Sequence, residues 1–211
     1  ANSDPSLLPA VWHLIYIFLK RESWTNITRL RLAEQKAAKS PAEKSAALVS
    51  WGELQEDHVG DLDAAMKAFI EATESADDDR LALLSLERAA TRTGDLGRLA
   101  QTIERQAELT KDSRRRALLL IELAHLQESL EGGTPRRALE LLGEAAKVED
   151  DRWHWLGELQ RFAERADLPE GVAEALEGRA EIMRSLASIG TTELAEKAGA
   201  PRVVDPYVAG E

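Results

Sequence analysis

The 211 residues carry 27 basic and 38 acidic side chains, a formal net charge of −11, with 44% hydrophobic and only 5% aromatic residues and no cysteine. Disulfides, thiol catalysis and cysteine-ligated zinc are therefore excluded. So acidic a balance also repels nucleic-acid phosphates and anionic membranes unless its basic residues are segregated on one face. A chain of this length buries roughly 70% of its unfolded surface and needs no metal or disulfide to fold.

Abundant Ala, Leu, Glu and Arg, without long Val/Ile/Thr runs, reads as all-α. Breaks at Gly, Pro and Asp/Ser clusters divide the chain into about eleven helices. The first runs from Pro5 to Lys20, the second from Trp24 to Ala38, the third from Pro41 to His58 and the fourth from Asp63 to Glu74. Asp79 to Thr93, Leu96 to Leu109, Ser113 to Leu130 and Pro135 to Val148 follow. Asp151 to Ala166, Pro169 to Leu186 and a short helix at Thr192 to Ala198 complete the set, and residues 199–211 read as an extended tail. Ser40 before Pro41 and Thr134 before Pro135 are start signals. Links this short make consecutive helices antiparallel neighbours.

The longest apolar run, Leu7 to Leu19, contains Pro9 and His13 and falls short of the roughly 20 residues that a membrane span requires. It has neither the basic stretch before it nor the small-residue cleavage site after it that a signal peptide needs. Cytoplasm and periplasm both stay open. Being apolar nearly all round, this helix is expected to be covered on more than one side, by a preceding repeat or by a second copy in a homodimer.

The chain repeats itself. At an offset of 72, Asp78, Asp79, Arg80, Leu84, Asp95 and Leu96 fall on Asp150, Asp151, Arg152, Leu156, Asp167 and Leu168. One added residue near Gly133 then places Ala65, Glu71 and Ala72 on Ala138, Glu144 and Ala145. Each unit of 72 holds four helices, or two hairpins. Within one hairpin, Ala65, Phe69 and Ala72 put a small-large-small stripe on a single helix face, a surface onto which a neighbouring helix can dock closely.

Leu48, Trp51, Gly52, Gly60-Asp61, Ala65, Phe69 and Ala72 resemble a tetratricopeptide repeat, as do Leu120, Leu123, Ala124, Gly132, Ala138, Leu142 and Ala145. The pattern departs from that family at Gln55 and Gln127, where a tyrosine is usual, in the missing closing proline, and at Leu99 and Leu176, where the alanine stripe is degraded. The resemblance implies a right-handed superhelical solenoid of about five antiparallel helix hairpins over residues 1–198. The chain starts without a methionine in a register already running at Asp4-Pro5, and so reads as a piece of a longer array.

Catalytic and metal signals are weak. Glu122-x-x-His125 has di-iron spacing, but its nearest counterpart, Asp151-x-x-His154, sits at a helix start in a different hairpin, so chance spacing on solvated faces is the better account. His13 and His58 are isolated, no phosphate loop follows a strand, and no Ser-His-Asp grouping can be arranged, so the chain reads as a non-enzyme. Arg114-Arg115-Arg116 reads as a solvated turn neutralised by Glu108 and Asp112.

The expected function is a non-catalytic scaffold that captures a peptide or partner helix in a concave groove lined by the first helix of every hairpin. Register assigns to that groove Trp12, Tyr16, Arg88, Arg92, His125, Glu128, Trp153 and Gln160, together with Lys20, Glu53, Glu56 and Asp57. Leu156 is expected on the groove side beside Trp153, with Trp155, Leu159 and Phe162 in the core. The alternatives are a spacer that self-associates through its first helix and, against the charge, a reader of single-stranded RNA.

Overall fold

The structure, a computed structural model, describes residues 8–147 and 151–189. Ten α-helices and no strand occur among the described residues: α1 (Leu8–Lys20), α2 (Trp24–Ala37), α3 (Pro41–Leu54), α4 (Leu62–Ser75), α5 (Arg80–Thr93), α6 (Leu96–Leu109), α7 (Ser113–Gln127), α8 (Pro135–Ala145), α9 (Arg152–Arg165) and α10 (Pro169–Ile189). None is long and apolar enough to cross a membrane. The short helix at 192–198 and the tail at 199–211 lie outside the described residues.

Helix starts repeat the sequence period. Leu8, Arg80 and Arg152 are 72 apart, as are Pro41 and Ser113, while Leu62 and Pro135, and Leu96 and Pro169, are 73 apart. Ser40 and Thr134 cap α3 and α8 through side-chain oxygens that accept from the Glu43 and Arg137 amides, each with proline at the first helical position. The fold is an all-α, tetratricopeptide-like run of antiparallel helix couples.

Two compact units divide at Thr102 and Ile103, inside α6. In the first, α1 packs on α2, α2 on α3, α3 on α4 and α4 on α5, with α3 also touching α5. Leu48 and Val49 of α3, Ala65, Phe69 and Ala72 of α4, and Ala82, Leu86 and Ala89 of α5 form one core. Ile15, Ile27 and Leu54 form a second core, between α1, α2 and the end of α3. In the second unit α7 packs on α8, α8 on α9 and α9 on α10.

Close approach is made at glycine. A Cβ on Gly52 would stand 2.4 Å from Cε1 of Phe69, which is fully buried, so the ring fills the space that the absent side chain leaves. Ala124 and Leu142 stand at the same register in the second unit, one methyl larger and one ring smaller, and both are buried. Volume is moved across the contact and the sum is roughly kept.

The turns inside the hairpins share a backbone device. Glu22, Gly60, Gly94, Gly132 and Asp167 all have positive φ. After Glu22, Gly94 and Asp167 the next amide bonds back five residues, Ser23 to Phe18, Asp95 to Ala90 and Leu168 to Ala163, which satisfies a carbonyl at the end of the helix. Glycine suits this left-handed residue; Glu22 and Asp167 occupy it with a Cβ.

Four expected helix ends shift by three residues or more, and one of them is that of the tenth helix, which is read to Leu186 and runs on to Ile189. The third helix, read as continuous to His58, is α-helical to Leu54 and continues as a π-turn over Gln55–Val59. The Gln55 carbonyl accepts from both the Gly60 and Asp61 amides, which widens the last turn. α7 ends at Gln127 instead of Leu130, because Gly133 folds back so tightly that a Cβ there would lie 2.0 Å from the Gln127 carbonyl oxygen. α8 ends at Ala145 rather than Val148.

Two outcomes are expected in denaturant unfolding. Glu22→Gly removes a left-handed Cβ and raises stability by about 1 kcal/mol, and Asp167→Gly raises it by less, because aspartate tolerates that conformation better. Gly52→Ala costs about 1–3 kcal/mol through overlap with Phe69. Adding Phe69→Leu, which copies the Ala124 and Leu142 pairing, costs less than the sum of the two single changes.

Candidate functional site

The first helices α1, α3, α5, α7 and α9 carry the expected groove residues, and the described geometry falls within the two units separately. In the first unit Trp12 and Tyr16 are exposed on α1, one turn apart. The Trp12 indole donates to Glu34 Oε1 at 2.7 Å, and the other oxygen of Glu34 is held by Arg31 at 2.8 Å. Behind Trp12 a cleft of about 260 Å³ opens between α1, α2 and α3, walled largely by Ala37, Ala38, Ala46 and Ala47. Lys20 lies over the Tyr16 ring, with Nζ 5.6 Å from its centroid.

Arg88 and Arg92, one turn apart on α5, are half-exposed and converge on Glu56. Arg88 donates through Nε and Nη2 to Glu56 Oε2 at 3.2 and 2.8 Å, and Arg92 Nη1 donates to Oε1 at 2.6 Å. Register alone points Glu56 into the groove; in the structure its side chain is fully buried. The π-turn carries it inward, and two guanidiniums compensate the charge there. Burial by itself raises the Glu56 carboxyl, but hydrogen bonds and charge from Arg88 and Arg92 together outweigh it and hold the group below its ordinary 4.5. The same pairing raises Arg88, so that it stays cationic at every working pH.

A second polar tie joins the same two helices. Ser45 of α3 is fully buried and donates to Asp79 Oδ2 at 2.7 Å. Oδ1 of Asp79 accepts from the Leu81 and Ala82 amides and so caps α5. Sequence reasoning misses this pair as a functional feature. A hydroxyl among the apolar positions of α3, in register with a capping aspartate, is the signal that could have found it.

In the second unit both ties are replaced. Ala117 stands in the register of Ser45, and Asp151, in that of Asp79, has φ +71° and makes no side-chain cap. Glu128 takes the place of Glu56 and is exposed, as is His125 one turn before it. Gln160 and Glu164 take the places of Arg88 and Arg92 and bond to each other, Nε2 to Oε1 at 2.8 Å. Arg179 of α10 reaches back to α9, donating to Gln160 Oε1 at 2.7 Å with its guanidinium 4.4 Å from the centroid of the half-buried Trp153 ring.

Trp155, Leu159 and Phe162 are buried, as the helical period implies. Leu156 departs from expectation: it is buried rather than turned to the groove, because Gly178 of α10 admits it, a Cβ there standing 2.9 Å from its Cδ2. His58 stacks on Trp24 at 4.2 Å between centroids, and His13 is exposed. Among the described residues no three acidic or imidazole groups converge at metal-binding distance.

The Glu56 cluster sets a pH dependence. Its folded value lies below the ordinary one, so its stabilisation is complete above about pH 4.5 and is lost as the pH falls through the lowered value. Glu56→Gln is expected to cost about 1–3 kcal/mol at neutral pH and to flatten the fall in Tm as the pH drops below the ordinary carboxylate value, measured by calorimetry against the parent chain.

No family profile matches the chain, and no curated protein matches it. Among solved structures it is similar to a MamA RS-1 ArsTM double mutant, at 14% identity and a TM-score of 0.47 over 88% of this chain and 98% of that one. It is similar to MamA at 15% identity and a TM-score of 0.45, over 79% of this chain and 95% of that one. A tetratricopeptide repeat protein from Parabacteroides merdae stands at 15% identity and 0.44, over 92% of this chain and 80% of that one. The tetratricopeptide-like character rests on the chain's own helix couples, small-large-small stripes and recurring turn.

Proposed function

We propose that the protein is a non-catalytic interaction scaffold whose second unit captures a basic peptide or partner helix on the first-helix face of α7 and α9. One observation carries this reading. In the first unit the carboxylate at position 56 is consumed by two arginines, whereas Glu128 in the same register is exposed and faces a sequence with Gln160 and Glu164 in the arginine positions. The second unit thus keeps the acceptor and has no cation at the two register positions that fill it in the first.

A lysine- or arginine-bearing segment supplies the missing charge, and Trp153, already stiffened under Arg179, offers an aromatic anchor beside it. Tyr16 and Trp12 on α1 offer a second apolar contact, within the first unit. Arg88 and Arg92 hold their own chain together and so contribute less to a partner than register alone implies. The net charge of −11 favours a basic protein segment over phosphodiester backbones, which argues against RNA.

The homodimer reading has one supporting observation, the exposure of Trp12, Leu14, Tyr16 and Leu19 on α1. A helix of 13 residues, about 20 Å long and 10 Å across, offers well under the roughly 800 Å² per partner of a stable interface, so α1 alone makes a weak dimer.

The test is affinity capture from the host's extract with the full chain and with a Glu128→Lys, Glu164→Lys, Trp153→Ala variant whose thermal unfolding matches the parent. The variant is expected to lose the retained partner, and rising salt to release it from the parent. Equal retention by both proteins removes the proposal.

A further inference from the structure

Arg88 and Arg92 end on a buried carboxylate, Glu56, whereas Arg179 of α10 ends on neutral groups alone. Its guanidinium stands 4.4 Å from the centroid of the Trp153 ring and donates to Gln160 Oε1 at 2.7 Å, and it makes no ion pair among the described residues. Arg179, Trp153 and Gln160 are all half-buried. A cation held by one ring and one neutral amide is exchangeable in a way that Arg88 and Arg92 are not.

The groups under Arg179 are set in place without it. Gln160 Nε2 donates to Glu164 Oε1 at 2.8 Å, one turn further along α9, which leaves Gln160 Oε1 as the end that receives a donor. Gly157 lies between Trp153 and Gln160 on the same helix face, and a Cβ there would meet only Arg161 Nη1, at 3.9 Å. Packing therefore does not require glycine at this position, in contrast to Gly171 and Gly178, and a mid-helix glycine weakens a helix relative to alanine. What the glycine provides is an open strip between ring and amide, with the exposed carboxylate of Glu164 at its far end. An aromatic face, an oxygen acceptor and a carboxylate in line are the groups that a guanidinium binds.

We infer that Trp153, Gln160 and Glu164 form a binding site for an arginine side chain of the partner, and that Arg179 is its stand-in, holding ring and amide until that side chain replaces it. In taking the partner to be basic, this rests on the function proposed above. It adds that the residue taken is arginine in preference to lysine, and that the free chain keeps the site occupied from within. The incoming guanidinium enters over Gly157 and reaches Glu164 as well as the ring and the amide. It thus makes one charge-assisted bond that Arg179 does not make, and that difference drives the exchange. A lysine ammonium has no plane to stack on the ring and holds its water more tightly.

The probes are N-acetyl-arginine amide and N-acetyl-lysine amide, titrated into the full chain while the indole N–H signals of its five tryptophans are followed by NMR. Trp153→Phe identifies the Trp153 signal by deleting it. The arginine probe is expected to shift that signal and to bind Arg179→Ala about tenfold more tightly than the parent chain, with the lysine probe weaker in both. Arg179→Lys, which keeps the stem of the side chain, gives a smaller gain in the same direction. In the Arg179→Ala background Gly157→Leu abolishes binding, and Glu164→Gln weakens it by about fivefold. Three results overturn the arginine site: a Trp153 signal that ignores the arginine probe in Arg179→Ala, a lysine probe that binds as tightly, or N-acetyl-glutamate amide shifting the signal in the parent but not in Arg179→Ala. The last would make Arg179 a receptor for carboxylates. Because the titration involves no host partner, it separates from the scaffold reading. Failure here, with the host partner still lost from a Glu128→Lys chain, refutes the arginine site alone; the expected titration, with that partner retained by Glu128→Lys, refutes the scaffold reading alone.

Discussion

Two helices come closest where one of them gives up a side chain, and Gly52 opposite Phe69 is one place where this chain does so. The ring is wholly buried and fixes both the separation and the register of α3 against α4. Alanines on either side of it, Ala65 and Ala72, let the same helix face α5 as well. The second unit applies the same rule at α10. Gly171 lies against Leu139 of α8 and Ala163 of α9, and Gly178 lies against Leu156 of α9. Small residues on one helix of each contact, Gly52 on α3 and Gly171 and Gly178 on α10, are therefore what bring first helices, and whatever they display, to a reproducible position.

Close packing of this kind leaves little slack for the connections, which explains why one backbone conformation recurs in them. A short hairpin turn must reverse the chain while satisfying the carbonyls at the helix end, and a left-handed residue followed by an amide bonding five positions back does both. Gly94, Glu22 and Asp167 carry both features, while Gly60 and Gly132 supply the left-handed residue with a different bond after it, six positions back at Asp61 and three at Gly133. Glu22 and Asp167 tolerate a modest local cost because the helices they join are held by burial elsewhere, Ile15 and Ile27 in one case and Phe162 in the other.

Much of this architecture is legible in the amino-acid sequence alone. Helix starts, the small-large-small stripes and the period are properties of spacing, and spacing survives tertiary packing; hence Trp155, Leu159 and Phe162 are buried where the period places them. What spacing does not carry is the burial of Glu56. A glutamate near the end of a polar-looking helix reads as solvated, and only the π-turn, set by Gly60 and the doubly used Gln55 carbonyl, rotates it beneath Arg88 and Arg92. Leu156 escapes the periodicity for a parallel reason: the space that accepts it belongs to Gly178, on another helix. Both depend on a residue outside the helix being read, which the period of one helix does not contain.

The divergence between the two copies then gains a physical meaning. The first copy joins α3 to α5 by two buried or half-buried polar ties, Ser45 to Asp79 and Glu56 to the paired arginines, and each consumes charge or hydrogen-bonding capacity internally. In the second copy the hydroxyl has become Ala117, the aspartate no longer caps, and the arginines have become Gln160 and Glu164. Mutual stability is surrendered at those positions, yet the acidic group at 128 is retained in the open. An ion pair between side chains of one chain and a contact with a partner draw on the same carboxylate, so the first copy has used its acceptor to hold itself together. The second copy leaves Glu128 exposed at that register, with Gln160 bonded to Glu164 and to Arg179 instead.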